Sequence, residues 1–310
     1  MNERFAFSAG GFYEYEGGFF RNAALNNKKV DKGQSAGGRI RAIYLPSDNW
    51  KFDFNVSYEY GDQGGYPYGL YNKETGDVAK TAYNDESSYY RNLLNAGLNV
   101  EYQAQNFTLS AVTGYQHLKD RMFLDQDFTA KNTYTLEQKQ RINTISEEIV
   151  MKSKESHRWQ WATGIFGFYQ WLNTTAPVTF KEDGMAMMDQ MLGNFIPALV
   201  EVPMGPGRNM NIMPALKVTS ARLPINGDFK TPLLNGALFH QSTFRDLFGI
   251  DGVSFTAGLR LDYEKMKMDY NSGTAMDYTI GITGQMMMNG APTGNPIPMM
   301  PETALTVTSR

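Results

Sequence analysis

The sequence contains no cysteine among its 310 residues. This absence excludes disulfide frameworks, thiol catalysis and cysteine-ligated zinc or iron–sulfur sites. Only three histidines are present, His117, His157 and His240, and none stands at a metal-ligand spacing from another ligand. Neither a glycine-rich phosphate loop nor the G-x-S-x-G turn of serine hydrolases occurs. We therefore expect no enzyme activity, no cofactor and no resident metal.

Long apolar runs and a charge excess are missing as well. No stretch approaches the roughly 18 consecutive apolar residues of a membrane helix, and the mean hydropathy is −0.44. The net charge of −3 gives no basic footprint for nucleic acid. These absences exclude a helical membrane protein and a nucleic-acid-binding protein.

What the sequence does contain is strict alternation, most clearly in PSDNWKFDFNVSYEY (residues 46–60). After a polar turn at 46–49, the even positions are apolar or aromatic: Trp50, Phe52, Phe54, Val56, Tyr58 and Tyr60. The odd positions are polar: Lys51, Asp53, Asn55, Ser57 and Glu59. A period of two over eleven residues predicts a strand whose two faces meet different surroundings. Such a strand either edges a soluble sheet or crosses a membrane, which takes about 9–11 tilted residues with aromatic residues at both interfaces.

Similar alternation predicts further strands along the chain. The clear strands fall between residues 3 and 267, at about 5–13, 35–45, 50–60, 89–102, 107–115, 139–152, 158–171, 236–245 and 253–264. A tenth is expected at 303–309. A large loop is predicted at 172–229, with a short helix near 185–195, and a loop rich in Met, Gly and Pro at 271–302.

The predicted connections alternate in length. Short turns fall at 46–49, 103–105, 153–157 and 246–252, and every other connection is long. Soluble sandwiches have no reason to place every short turn at one end, whereas outer-membrane barrels have short periplasmic turns and long extracellular loops. The pattern predicts an all-β fold: one domain, residues 1–310, forming an antiparallel up-and-down transmembrane β-barrel segment of about nine to ten strands. A soluble β-rich domain that binds carbohydrate is the alternative from another class, and a porin-like barrel is a further one.

Two loop features are candidates for ligand binding. Tyr66, Tyr68 and Tyr71 stand in a Gly- and Pro-framed loop, where aromatic rings either stack on a chelate or sugar or pack on neighbouring loops. Met187, Met188 and Met191 belong to a Met-rich segment. Thioethers suit soft metals such as Cu(I), but they also fill irregular packing, and packing is the preferred interpretation.

Several segments resemble the barrel of TonB-dependent outer-membrane receptors. They are Arg39–Gly69; Arg121–Lys154 with its TISEE strand; Arg158–Gln170 with RWQWATGIFGFYQ; and Gly236–Lys265 with GLRLDYEK. The resemblance implies a 22-stranded barrel plugged by an N-terminal domain, in the outer membrane of a Gram-negative bacterium. It also implies import of ferric siderophores, haem, cobalamin or glycans with energy from TonB. An iron chelate is the expected ligand, and outer-membrane lipid and TonB are the expected partners.

The chain begins in alternating sequence, without a secretory signal, a TonB box or a plug domain, and ends before the final strands such a barrel needs. We therefore expect a middle section of a receptor, with TonB acting through a missing plug domain. The polar strand faces predict a set of lumen-facing residues: Arg39, Arg41, Asp53, Glu59, Arg260, Asp262 and Glu264. The two arginines on one strand need carboxylates or water, which Asp53 and Glu59 can supply.

Overall fold

A computed structural model describes residues 4–155, 158–196 and 199–309. The fold is nearly all β, with 70% of residues in strands. The strands are β1 (Phe5–Glu16), β2 (Arg21–Asn22), β3 (Lys28–Lys29), β4 (Gly33–Ser47), β5 (Trp50–Gly64), β6 (Ser88–Gln103), β7 (Phe107–Asp125), β8 (Tyr134–Ser153), β9 (Trp159–Thr175), β10 (Val178–Phe180), β11 (Val200–Gly205), β12 (Arg208–Val218), β13 (Leu223–Arg245), β14 (Ser254–Met266), β15 (Asp269–Met288), β16 (Ala291–Pro292) and β17 (Ile297–Ser309). One α-helix, α1 (Glu182–Phe195), and one 3-10 turn (Leu247–Gly249) complete the described elements.

Prolines divide strands that are continuous in register. β9 and β10 pair with β8 and β13 in one unbroken register, and the break between them contains Pro177, which has no N–H to donate. β14 and the start of β15 likewise pair with β13 in one register, and the break between β14 and β15 lies opposite Pro232 of β13. β12 and β13 run consecutively along β15 and β14, with a bulge at 219–222 where two backbone N–H groups donate to the Asp277 carbonyl.

Within the described ranges the sheet has ten strands when continuous ones are counted once: β1, β4, β5, β6, β7, β8, β9–β10, β12–β13, β14–β15 and β17. Each is antiparallel to the next along the chain. The predicted all-β, up-and-down architecture is confirmed.

Connections at one end of the sheet are short. They cover residues 48–49, 104–106, 154–158 and 246–253, and we call this the short-turn end. Connections at the opposite end, the long-loop end, cover 17–32, 65–87, 126–133, 181–207 and 289–296. The predicted alternation of connection lengths is therefore present.

The two faces of the sheet differ in character. We call the face that carries Trp50 the apolar face and the opposite one the polar face. Residues directly opposite each other on neighbouring strands share a face. Phe54 of β5 is opposite Leu98 of β6, which is opposite Thr113 of β7, so all three lie on the apolar face. All four tryptophans lie on it: Trp50, Trp159, Trp161 and Trp171.

The sheet does not wrap around a core of its own. The accessible surface is 20335 Å², whereas a compact protein of 34.9 kDa exposes roughly 13,000 Å². Only seven hydrophobic residues are buried within the described ranges. On the apolar face Ile165, Leu238 and Leu259 are 52%, 51% and 68% exposed. A large apolar surface is thus left uncovered by the chain itself.

The predicted loop at 172–229 is only partly a loop. Strand structure continues to Phe180 and resumes in β11, β12 and β13, because Val178–Phe180 pairs with both β8 and β13 and residues 208–218 pair with β15. The helix expected near 185–195 is present as α1 and begins three residues earlier, at Glu182. Met185 of α1 packs on Val218 and Leu223, which forms the main buried cluster of the described chain.

The predicted loop at 271–302 is wrong for most of its length. β15 covers 269–288 and β17 covers 297–309, so only 289–296 remains as a connection. Met276, Tyr278, Ile280 and Ile282 alternate with polar or small residues, and this period outweighs the Met, Gly and Pro content. β7 and β8 are also longer than expected, since their alternation passes through charged residues at the long-loop end.

The described sheet is open. β1 pairs only with β4, and no pairing joins β1 to β14 or β17 across the described residues. Every residue of β1 and β14 is exposed. Such edges are templates for further strand pairing. Within the described part of the chain no helix has the length and apolar character to span a membrane.

Candidate functional site

Ion pairs join neighbouring strands on the polar face. Arg41 Nη2 lies 2.5 Å from Asp53 Oδ2, and Arg41 Nε donates to Asp53 Oδ1 at 2.8 Å. This two-point geometry is the strong form of an arginine–carboxylate pair, and the Asp53 side chain is largely buried beneath it. Glu59 pairs with Arg91 of β6 rather than with Arg39. Of the two arginines expected to pair with these carboxylates, Arg41 does so and Arg39 does not. Glu59 pairs instead with Arg91, which was not in the predicted set.

A second group of charges lies on β14, at the other side of the sheet. Arg260 Nη2 is 2.9 Å from Asp262 Oδ1, and the guanidinium stands over the Phe239 ring at 5.7 Å. Glu264 accepts a long 3.4 Å hydrogen bond from Asn235. These groups are about half exposed, so the ion pair contributes little to stability.

The sequence-predicted polar set occupies one face but not one pocket. The register places Asp53 and Asp262 in the same cross-strand row, separated by the intervening strands β6, β7, β8, β9 and β13. Arg39 stands opposite Ser57 and lines a cleft of about 400 Å³. The arrangement is a polar wall with charges at two sides, rather than a convergent site.

A cleft at the long-loop end of this wall was not predicted from the sequence. It has a volume of about 270 Å³ and is lined by Glu14, Glu16, Gln34, Glu59, Gln63, Tyr89 and Arg91, among others. The available signal was the continuation of alternation past Tyr13, which places Glu14 and Glu16 next to each other on the polar face of β1. The cleft is rich in hydrogen-bond acceptors and contains one paired arginine.

The loop tyrosines form an aromatic group at the long-loop end. The Tyr68 ring contacts Phe128 edge to face at a centroid distance of 4.9 Å, and Tyr66 lies 6.4 Å from Tyr68. Tyr68 and Tyr71 are 56% and 61% exposed. Burial raises the pKa of the Tyr66 phenol. Phe128, from the 126–133 connection, is a member that sequence reasoning missed.

The methionines of α1 are divided between two environments. Met188 packs with Phe180 and Leu192 against the buried Met185 cluster, so the structure places its side chain in packing. Met187 and Met191 are 56% and 58% exposed. The described residues contain no group of three His, Asp or Glu that could hold a metal.

Polar groups buried between the loops hold the long-loop end together. Asp125 Oδ2 accepts hydrogen bonds from the backbone N–H groups of Asn84 and Asp85 at 2.9 and 3.0 Å. Its side chain is buried, and burial raises the pKa of this carboxyl. Tyr83 is fully buried, and burial raises its pKa to about 12. Lys181, just before α1, pairs with Asp85 at 2.5 Å, which ties the helix to the loops.

Two histidines belong to the apolar face. His117 Nδ1 is 2.7 Å from Asn143 Oδ1, and His240 Nδ1 is 2.7 Å from Thr163 Oγ1. Each thus has a neutral partner on a neighbouring strand and stands apart from any carboxylate–nucleophile pair. His157 lies outside the described residues.

Two solved structures to which the chain is similar are an uptake receptor and a transporter of ferric complexes. The ferric yersiniabactin uptake receptor FyuA from Yersinia pestis matches with a TM-score of 0.49 at 10% identity, over 92% of this chain and 50% of the receptor. The ferric citrate transporter FecA, in its unliganded form, matches with a TM-score of 0.44 at 8% identity, over 90% of this chain and 39% of the transporter. The chain thus spans half or less of these proteins.

No family model matches the sequence, and no curated protein matches it. Because both TM-scores are below 0.5 and both identities are 10% or less, the function has to be inferred from this chain's own residues.

Proposed function

We propose that the chain forms part of the wall and the ligand-capture loops of a TonB-dependent receptor barrel in the outer membrane of a Gram-negative bacterium, for uptake of an iron chelate. The observation that carries this proposal is the single sheet with one apolar and one polar face. The apolar face is left uncovered by the chain, and lipid suits a sheet face that exposes this much apolar surface.

The dimensions of the apolar face support a membrane position. Trp159 and Trp171 lie twelve residues apart in β9. With a rise of about 3.3 Å per residue and a tilt of about 45°, they are separated by roughly 28 Å along the membrane normal. An outer-membrane barrel has an apolar band of about 25 Å between its aromatic rows. The short-turn end then faces the periplasm and the long-loop end faces the cell exterior.

The polar face supplies a route for a hydrated ligand. Several of its charged groups are paired, as Arg41 is with Asp53 and Arg260 is with Asp262, so they present hydrogen-bonding groups without a strong trap for one sign of charge. Capture occurs first at the exposed aromatic group of Tyr68 and Phe128, whose ring faces suit the planar parts of an iron chelate. Passage along the wall is then gated by a plug and driven by TonB, as in the receptors the sequence resembles.

The test of capture is ligand binding to the full chain in detergent. The probes are ferric citrate, a ferric hydroxamate and a ferric catecholate, each compared with its iron-free chelator. We expect one ferric probe to bind, and Tyr68→Ala to weaken that binding by between twofold and about tenfold, because a stacked ring contributes roughly 0.5–1.5 kcal/mol. Tyr13→Ala is the matched control, since Tyr13 is 67% exposed but lies on the apolar face.

Equal binding by the wild type and the Tyr68→Ala variant would exclude the aromatic group as the capture site. A glycan is the second candidate ligand, favoured by the same exposed rings, which also suit the flat face of a sugar. Binding of a malto-oligosaccharide, with no response to any ferric probe, would replace the iron chelate by a glycan.

A further inference from the structure

A cluster of basic residues lies on the apolar face beyond the Trp171 level. β7 contributes Lys119 and Arg121, and β8 contributes Lys139 and Arg141. The register pairs Lys119 with Arg141 and Arg121 with Lys139, so the four cations occupy adjacent rows of two neighbouring strands. We call these four residues the basic cluster.

The face of the cluster follows from the same register. Trp171 stands opposite Asn143, and two residues further toward the long-loop end Asn173 stands opposite Arg141. Side chains two residues apart in a strand share a face. The basic cluster therefore projects on the tryptophan side of the sheet, where alternation otherwise places apolar residues.

The cluster lines a cleft of about 460 Å³, together with Asn173 and Thr175. Asp120 and Gln140 also line this cleft, but the alternation places their side chains on the polar face. There the Asp120 carboxylate accepts a hydrogen bond from the Tyr89 hydroxyl. One acid neutralises part of the cluster, because Glu137 lies 2.5 Å from Arg121 and 2.9 Å from Lys139.

Lys119 and Arg141 pair with no acid among the described residues. The cluster with Glu137 thus has a formal charge of +3. Arg121 and Lys139 are about half exposed, so the cleft is open to a ligand. Like charges packed on adjacent strands repel one another, and an anion between them would relieve that repulsion.

The spacing suits a phosphate group. Cross-strand neighbours are about 4.8 Å apart, and successive side chains on one face are about 6.8 Å apart. Four cationic side chains around an area of this size can converge on one phosphate, with arginine offering two parallel donors. Asn173 adds an amide at the rim of the cleft.

We propose that the basic cluster binds a phosphate group of a phosphorylated glycolipid in the outer leaflet. This inference rests on the proposed function, because it needs the apolar face to meet lipid. The cluster then lies at the level of the outer-leaflet headgroups, just outside the aromatic row of Trp171. Lys230 stands beside Asn173 but has Asp269 as its neighbour on the other side, and Asp228 stands beside Thr175. The excess of positive charge is therefore centred on β7 and β8.

The experiment compares the thermal unfolding of the full chain in neutral detergent micelles doped with defined additives. The test variant is Lys119→Gln/Arg141→Gln. The control, Lys51→Gln/Lys152→Gln, removes the same charge from the polar face near the short-turn end. The additives are a bisphosphorylated, acylated glucosamine disaccharide, its dephosphorylated form, phosphatidylglycerol and inorganic phosphate.

We expect the bisphosphorylated glycolipid to raise the melting temperature of the wild type and the control. The dephosphorylated form should have no effect, and the test variant should bind the glycolipid at least tenfold more weakly. Equal affinity of the test variant and the wild type would overturn the proposal. An equal shift with inorganic phosphate or phosphatidylglycerol would also overturn it, the first in favour of a free-anion site and the second in favour of general surface charge.

Two further readouts keep the result interpretable. If the double variant does not fold, Lys119→Gln and Arg141→Gln are measured singly, each with an expected loss of affinity. Quenching of tryptophan fluorescence by brominated detergent reports separately whether the apolar face meets the micelle. Failure of the chain to bind any ferric probe would reject the uptake function without changing the glycolipid result.

Discussion

Glu147 and Glu148 are consecutive carboxylates on opposite faces of β8. Glu147 stands between Thr113 and Gly167 on the apolar face, and Thr113 Oγ1 donates to it at 2.5 Å. Gly167 is near the middle of β9, between the tryptophans at its two ends. If the apolar face meets lipid, Glu147 is a carboxyl near the middle of the hydrocarbon with a single neutral partner.

Glu147→Leu is expected to stabilise the chain folded into bilayers by about 1 kcal/mol. A carboxylate on the lipid face of a barrel destabilises it by somewhat less than the roughly 2–4 kcal/mol of a lysine or arginine at the bilayer midplane. The substitution removes this penalty but also removes the hydrogen bond from Thr113, which costs about 1 kcal/mol. Denaturant unfolding from vesicles measures the change. Glu148→Leu, on the polar face, is the control and should give no gain. Stabilisation by both variants, or by neither, would disagree with the assignment of the two faces.

Asp125 is a buried acid among the loops beyond the apolar band, and its pKa is raised by burial. A carboxyl whose pKa is higher in the folded than in the unfolded state destabilises the fold once it is ionised. The penalty is absent below the ordinary pKa of the group and is complete once the pH exceeds the folded-state pKa.

Asp125→Asn should therefore increase stability at pH 7.5, because the buried negative charge is removed while the amide oxygen can still accept from the N–H groups of Asn84 and Asp85. The gain over wild type should shrink as the pH falls toward 4, because the wild-type carboxyl becomes neutral. Unfolding midpoints across this pH range give the measurement. A gain that stays constant with pH would mean that the buried charge is not its cause.

At the scale of single residues, alternation predicts the face of a side chain but not its partner. Arg41 and Asp53 were expected to pair from their neighbouring strands, and they do. The pairing of Glu59 with Arg91 depends on the register between β5 and β6, which the sequence does not specify across the long 65–87 connection. For the same reason the contact of Tyr68 with Phe128 could not be predicted, because it joins two separate loops.

At the scale of elements, α1 is held to the sheet by one side. Met185 is 5% exposed and packs on Val218 and Leu223, whereas Met187 is 56% exposed. Met185→Ala is expected to destabilise the docked helix by roughly 2–4 kcal/mol through the cavity it leaves. Hydrogen exchange over 182–195 should then accelerate, while exchange in β5 stays slow.

Met187→Ala is the matched substitution on the solvent side of α1. It should change exchange over 182–195 by less than a factor of about three, because it leaves packing intact and surface substitutions usually change stability by at most about 0.5 kcal/mol. Equal acceleration by both variants would show that the buried cluster is not what docks α1.

Strands with unbroken alternation were the predictable elements. Trp50–Gly64 and Ser254–Met266 are found where Trp50–Tyr60 and Val253–Glu264 were expected. The 269–288 strand was missed, since the alternation of Tyr278, Ile280 and Ile282 ends at Gly284 and the segment as a whole is rich in Met and Gly. The long strands continue past Pro177 and Pro232 in the same register, although proline has no N–H to donate.

At the scale of the whole molecule, one property organises the rest. A ten-strand single-layer sheet exposes apolar side chains on one face and paired charges on the other, and all of its long connections stand at one end. No compact soluble packing of this chain buries that apolar face in the described structure. Lipid on the apolar face accounts for the surface area, the tryptophan placement and the division of connections together.

The most direct test uses the four native tryptophans, which all lie on the apolar face. The full chain is folded into vesicles that contain phospholipids brominated at defined acyl positions, and its fluorescence is compared with that in unbrominated vesicles and with added aqueous iodide. We expect strong quenching by bromine placed near the headgroups, weaker quenching by bromine near the bilayer centre, and little quenching by iodide, because Trp50, Trp159, Trp161 and Trp171 lie near the two ends of their strands. Efficient iodide quenching with no effect of brominated lipid would show that the apolar face does not meet the membrane.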